Sequence, residues 1–75
     1  MATRVSPAAV ARAVHQATGD NVGLRKINGY YHWVPLDTGA RELLQQVGTF
    51  TFYQKVTDLS LDGWVKEYKR QTGRS

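Results

Sequence analysis

The sequence predicts an α+β two-layer sandwich, with N- and C-terminal helices on one face of a three-stranded antiparallel sheet. Two capped amphipathic segments, one towards each end of the 75-residue chain, indicate the helices. Between them, an Asn28-Gly29 pair flanked by apolar runs indicates a tight hairpin, and a third alternating run indicates one more strand. The expected order is α-β-β-(short α)-β-α, which separates helices and sheet into two layers.

The length allows one small domain, residues 1–75, near the lower limit at which a hydrophobic core supports a fold unaided. We expect residues 1–4 and 72–75 to fray. The absence of cysteine excludes disulfides and thiolate metal sites. No run approaches the ~18 apolar residues of a membrane span, and no signal peptide is recognisable. A cytoplasmic protein without a membrane partner is therefore expected.

The first helix is predicted from its two ends. Ser6 is a suitable N-cap, Pro7 suits the first helical position because its missing N–H would have no partner there, and Gly19 ends the pattern. Small apolar side chains recur between these ends at helical spacing, which lets the helix lie close to a sheet. They are Val10, Ala13, Val14 and Ala17.

The hairpin is predicted from Asn28-Gly29, because both residues accept the positive φ angles of a type I′ turn. With this pair as the loop, Leu24 lies opposite Trp33, and opposed residues share a face of the sheet. The face expected to point into the core carries Val22, Leu24, Tyr31 and Trp33, with Lys26 at its tip. The opposite face carries Gly23, Arg25, Ile27, Tyr30, His32 and Val34.

The segment after the hairpin is predicted to form a short helix at about 39–46, with Thr38 as its cap. The run TFTFYQKV then alternates as a strand does. Its two phenylalanines lie on one face, and Thr49, Thr51, Tyr53 and Lys55 lie on the other. We assign the phenylalanine side, including Phe52, to the core and Tyr53 to the exposed side.

The last helix has the clearest signals. Ser60 is its expected N-cap, Asp62 in the first turn favours the helix dipole, and Gly73 ends it. The apolar residues at helical spacing are Leu61, Trp64, Val65 and Tyr68. We expect Trp33, Phe52, Trp64 and Tyr68 to be buried together.

The candidates for chemistry are few. His15 and His32 are the only histidines, and no carboxylate stands beside them at a spacing typical of a metal site. The side chains that could act as nucleophile or orienting group show no motif. They are Ser6, Asp37, Thr51 and Tyr53. The sequence therefore predicts no enzyme activity, no metal and no cofactor.

The exposed sheet face is the candidate binding site. Tyr30 and His32 are expected to lie beside Tyr53, with Arg25 and Lys55 as flanking cations. Aromatic rings bordered by cations are typical of platforms for single-stranded nucleic acid and also of protein hot spots. Alternatively, tyrosines cover an exposed face because of their high β propensity. The formal charge of +4 does not decide among these, and a second basic face is available at Lys66, Lys69 and Arg70.

Three segments carry a resemblance to a known family. They are GYYHW (29–33), FYQKV (52–56) and LSLDGWVKE (59–67). From Gln16 onward the chain resembles a family of small proteins of phages, prophages and other mobile elements, which have no assigned activity. The longer helix-forming segment 39–46 departs from that pattern. The order of elements is also similar to that of double-stranded RNA-binding domains, but Ser60-Leu61-Asp62-Gly63 replaces the basic cluster that begins their second helix, so no function is carried over.

The resulting hypothesis is a small, basic, non-enzymatic accessory protein of phage or mobile-element type. We expect it to act by binding a protein partner, either of the host or of its own element, through the sheet face. The alternative is a nucleic-acid-binding module that uses the same basic, aromatic face. An uncovered sheet edge could also support weak homodimer formation.

Overall fold

A computed structural model describes residues 4–74, and the expected fraying of residues 1–3 and 75 lies outside the described residues. The helices are α1 (Pro7–Thr18), α2 (Thr38–Val47) and α3 (Leu61–Thr72), the strands are β1 (Val22–Ile27) and β2 (Tyr30–Pro35), and a 3₁₀ helix spans Val56–Asp58. The α+β class is confirmed. None of the helices in the described range is long and apolar enough to cross a membrane.

The hairpin has the predicted form. β1 and β2 are antiparallel, with Leu24 opposite Trp33. Asn28 and Gly29 form the loop with φ angles of 53° and 88°, the left-handed values that a type I′ turn requires. Local turn chemistry therefore sets the register of this pair, and with it the face on which each side chain lies.

The predicted third strand is not formed. Within residues 4–74 the sheet has two strands. Segment 49–53 runs beside β2 but is joined to it by a single isolated bridge, between His32 and Phe50. An irregular segment therefore lies beside β2 where the alternating sequence predicted a third strand.

The irregularity of segment 49–53 lies at Phe52. The carbonyl of Tyr31 accepts a hydrogen bond from the N–H of Thr51 (3.0 Å), whereas the N–H of Tyr31 donates to the carbonyl of Tyr53 (2.9 Å). A regular antiparallel pair would exchange both bonds with one residue. Tyr31 instead bonds to residues on either side of Phe52, which bulges out of the ladder.

One core joins all three helices to the same face of the hairpin. Trp33 lies at its centre, with its ring centroid 5.0 Å from that of Tyr68 and 5.9 Å from that of Trp64, both in edge-to-face contact. The buried cluster consists of Val10, Val14, Val22, Leu24, Trp33, Ala40, Leu44, Trp64 and Tyr68. The expected burial of Phe52 is wrong, since this residue is 80% exposed.

The helix caps follow the sequence signals with one exception. Ser6 accepts from the N–H of Ala9 at the start of α1, and Ser60 caps α3 in the same way. α2 is longer than the predicted 39–46, and its cap is Asp37 rather than Thr38. Asp37 precedes the first helical residue and accepts the N–H three residues on, so it satisfies a donor that the helix leaves without a partner.

The C-terminal end of α3 is tied back to the loop between α1 and β1. Arg74 donates two hydrogen bonds to the carboxylate of Asp20, at 2.8 and 3.0 Å. The buried hydroxyl of Tyr68 donates to the same carboxylate (2.8 Å). Burial is the main cause that raises the pKa of Tyr68, and its bond to Asp20 adds to the effect. One carboxylate therefore ties the C-terminal end of the described chain to the loop between α1 and β1.

Candidate binding surface

The described helices all pack on one face of the hairpin, and the opposite face is called the outer face. Strand alternation places Arg25, Ile27, Tyr30 and His32 on it, because their neighbours Leu24 and Trp33 lie in the core. Phe50 joins this face through its bridge to His32. The register of the hairpin therefore sets which side chains share this face.

Four rings on this surface form a continuous group, the outer aromatic cluster: Tyr30, His32, Phe50 and Phe52. Phe50 lies at its centre, with ring centroids 5.4 Å from Tyr30, 5.3 Å from His32 and 5.0 Å from Phe52. The contacts are tilted or edge-to-face, the arrangements that aromatic quadrupoles favour. The rings support one another, yet Phe50 is 42% exposed and Phe52 is 80% exposed.

The predicted site residues are only partly brought together. Arg25 lies opposite His32 on the outer face, as expected. The expected position of Tyr53 beside Tyr30 is wrong, because the Tyr53 ring packs against Trp64 on the core side, with centroids 5.3 Å apart. Lys55 is exposed and precedes the 3₁₀ helix, where its N–H bonds the carboxylate of Asp58.

Phe50 and Phe52 are the surface residues that sequence reasoning missed. The run 49–53 alternates cleanly, but alternation does not say which set of side chains is inside. The inner set includes Thr51, which is 1% exposed and donates its hydroxyl to the carbonyl of Tyr31 (2.7 Å). That bond offsets the cost of burying a hydroxyl. The run itself holds no signal that would have identified the phenylalanines as exposed.

Several large apolar side chains are exposed to solvent. Among the described residues, the large exposed hydrophobic side chains are Ile27, Leu36, Phe50 and Phe52. Ile27 belongs to the outer face, and Leu36 covers the outer side of Gly23, with its methyl groups about 4 Å from where a Cβ would lie. Scattered exposed apolar residues are common, but a contiguous patch is typical of a binding surface.

Positive and negative side chains are also separated along the chain. Residues 21–36 and 48–55, which build the sheet side, contain no aspartate or glutamate. They contain Arg25, Lys26 and Lys55, none of which forms an ion pair among residues 4–74. The carboxylates lie in the helices and in their caps and connections. The segments that build the sheet side thus carry cations and no carboxylates, and Arg25 lies beside the outer aromatic cluster, opposite His32.

The second basic face on α3 is largely neutralised. Lys66 forms an ion pair with Asp62 (3.1 Å), and Arg70 is bonded to Glu67. Only Lys69 of the three predicted cations lacks an ion pair within the described range. Paired charges attract an anionic partner less, so this face is the weaker candidate.

The side chains considered for catalysis have structural roles. Ser6 and Asp37 cap helices, and Thr51 bonds the carbonyl of Tyr31. His15 lies on the exposed side of α1, with its Nδ1 3.3 Å from the carbonyl oxygen of Asp20. No group of three metal-ligating side chains is found in residues 4–74. Three of the predicted candidates, Ser6, Asp37 and Thr51, therefore bond the backbone.

Asp37 is the carboxylate whose titration is most clearly altered. The N–H of Ala40 (2.8 Å) and the side-chain amide of Asn21 (2.7 Å) donate to it. These bonds favour the charged form, so they hold the pKa of Asp37 below its usual value. Its role is to cap α2 and to join that helix to the start of β1.

No protein-family model, curated protein or solved structure matches this chain.

Proposed function

We propose that this chain is a non-enzymatic binding protein that docks a protein partner on its outer face. The observation that carries the proposal is the outer aromatic cluster, in which a half-exposed Phe50 and a largely exposed Phe52 project from a paired hairpin. Removing such rings from water on binding is favourable, at roughly 25 cal/mol per Å² of apolar area. A monomer gains nothing from leaving them exposed.

The composition of the surface fits a protein partner. Aromatic residues and arginine are enriched at binding hot spots because they bury large areas with few rotatable bonds. Here the rings occupy the centre, and Arg25 lies beside them, opposite His32. The matching partner presents an apolar centre with acidic groups at its rim.

The partner is proposed to belong to a bacterial host or to the mobile element itself. The support is the resemblance of segments 29–33, 52–56 and 59–67 to small phage and mobile-element proteins. Small accessory proteins without a catalytic constellation act most readily by occupying a surface of another molecule. The same resemblance supports a cytoplasmic site of action.

Single-stranded nucleic acid is the second candidate, and the charge segregation favours it. Segments 21–36 and 48–55 carry cations and no carboxylates, so phosphates could approach without repulsion. The exposed ring of Phe52 could stack on a base. Of the two cations of β1, only Arg25 lies on the outer face, so few phosphate contacts are available there, which places this candidate second.

The test compares three immobilised proteins in capture from a bacterial lysate with and without nuclease. They are the wild type, the outer-face variant Phe50→Ser/Phe52→Ser, and the control variant Lys66→Ala/Lys69→Ala/Arg70→Ala. A labelled mixed-sequence oligonucleotide, single- or double-stranded, is titrated in parallel at low and moderate salt. The two phenylalanines are exposed, so their replacement leaves the fold intact.

We expect the wild type and the α3 control to capture a protein that the outer-face variant does not capture. This capture should be the same with and without nuclease. Micromolar oligonucleotide binding that weakens steeply with salt and is lost with Phe50→Ser/Phe52→Ser would instead establish the nucleic-acid candidate. Capture that survives the outer-face changes and is lost with the α3 control would move the site to Lys66, Lys69 and Arg70.

A further inference from the structure

Within residues 4–74, the outward edge of β1 has backbone groups that no other segment pairs. On β2, Tyr31 and Trp33 direct their hydrogen bonds to segment 49–53, away from β1. Lys26 and Leu24 are their partners in the register. The backbone N–H and C=O groups of these two residues must likewise point away from β2, because hydrogen-bonded and non-hydrogen-bonded pairs alternate along an antiparallel ladder. No backbone bond to Leu24 or Lys26 from another segment is found within residues 4–74. The edge is therefore open to an added strand.

Three cations border this edge. Arg25 and Lys26 lie on β1 itself, on opposite faces of the strand, and Arg12 lies on the exposed side of the neighbouring α1. None of them forms an ion pair among the described residues. α1 and β1 contain no aspartate or glutamate, and Asp20 and Asp37 lie at the Val22 end of β1, where each is held by hydrogen bonds.

An open depression lies between α1 and the start of β1. Its volume is about 270 Å³, which is below the usual range for small-molecule pockets and suits one or two amino-acid side chains. Ala11, Val22 and Leu36 supply apolar walls, and the polar rim is formed by Arg12, His15, Gln16 and Asn21. The pocket therefore adjoins the end of the open edge.

We propose that β1 binds an extended acidic peptide segment of a partner protein as an added antiparallel or parallel strand. Backbone bonds to Leu24 and Lys26 supply affinity, as in other cases where a peptide extends a sheet. One apolar side chain of the peptide occupies the pocket beside Val22, and its carboxylates meet Arg12, Arg25 and Lys26. This site shares Arg25 with the outer face but uses none of the rings of the outer aromatic cluster, so it does not depend on the function proposed above.

A second copy of the chain fits this edge less well. Two β1 strands brought together would place two copies of Arg25 and Lys26 close to one another, and no carboxylate on either strand would compensate them. Like charges on neighbouring strands are destabilising. An acidic strand places its carboxylates beside these cations, which is favourable. An acidic peptide is therefore the expected occupant of the β1 edge.

The test uses a peptide of about seven residues that alternates glutamate with valine or leucine, blocked at both ends, and its counterpart with lysine for glutamate. Both are titrated into ¹⁵N-labelled protein. A phage-displayed library of random peptides of the same length is panned in parallel, so that the result does not depend on one designed sequence. The variants are Arg12→Glu/Lys26→Glu, the matched control Lys69→Glu on α3, and Phe50→Ser/Phe52→Ser.

The amides of Leu24 and Lys26 are expected to show the largest shifts and slowed exchange with the acidic peptide, and the lysine peptide is expected not to bind. Library selection should enrich acidic and apolar residues. Arg12→Glu/Lys26→Glu should weaken binding at least tenfold, while the other two variants stay within about twofold of the wild type. Shifts centred on Phe50, basic or unenriched library output, or unchanged affinity in the charge-reversed variant would each overturn the proposal.

Discussion

The indole N–H of Trp33 donates a hydrogen bond to the side-chain oxygen of Gln71, over 3.1 Å. The amide nitrogen of the same glutamine donates to the carbonyls of Gly48 and Phe50, at 3.2 and 3.1 Å. A single side chain of α3 therefore satisfies a buried ring in β2 and also holds the irregular segment that presents Phe50. The core and the candidate surface are joined at this point.

Gln71→Ala should lower the free energy of unfolding by about 1–3 kcal/mol, because it leaves the buried indole N–H without a partner. It should also loosen segment 49–53, which would appear as faster amide exchange of Thr51. Urea unfolding measures the first effect and NMR the second. Gln45→Ala on the exposed side of α2 is the matched control, and its effect should stay within about 0.5 kcal/mol. Equal stabilities of the two variants would contradict the role of Gln71.

Trp64 and Phe52 should differ sharply in their contribution to stability. Trp64 is fully buried and its indole N–H donates to the carbonyl of Val56 (2.7 Å), so Trp64→Ala should cost about 3–5 kcal/mol. Phe52 is largely exposed, so Phe52→Ser should change stability by no more than about 0.5 kcal/mol. Thermal melts of both variants provide the measurement. A large loss with Phe52→Ser would mean that this ring lies in the core after all.

Tyr53 and Tyr30 should have opposite roles although both are partly buried tyrosines. Tyr53→Ala removes the ring that packs against Trp64 and should destabilise the fold by about 1–3 kcal/mol. Tyr30→Ala removes a ring whose aromatic neighbour is the half-exposed Phe50, so it should be closer to neutral but should weaken binding of the captured partner. Melting temperature and capture yield, measured on the same preparations, distinguish the two. Equal losses of stability would remove the distinction.

The loss of folding stability at acid pH should depend on Asp37. Its pKa is lowered in the folded protein by the bonds from Ala40 and Asn21, so the charged form stabilises the fold. This contribution is present above the unfolded pKa, near 3.8, and is lost as the pH falls through the lower folded value. Asp37→Asn should therefore differ most from the wild type near pH 6 and converge with it near pH 2, in melts across that range. Glu42→Gln, on the same helix, is the control for the loss of one carboxylate.

The sequence predicted the elements whose causes are local. Ser6 and Ser60 cap the helices that follow them, and the Asn28-Gly29 turn sets the register of β1 and β2. Each of these signals acts within a few residues, so no knowledge of distant contacts is needed. The same register correctly separated Trp33 in the core from His32 on the outer face.

Only the tertiary structure decided the orientation of segment 49–53 and thus the content of the candidate surface. Alternation offers two faces, and hydrophobicity alone favours burying Phe52 rather than Thr51. The carbonyl of Tyr31, which lies on a strand distant in sequence, satisfies the Thr51 hydroxyl and makes its burial acceptable. Gln71, from the far end of the chain, holds the carbonyl of Phe50 in place. These partners meet only when the chain has folded, so no local pattern could place the two phenylalanines on the outside.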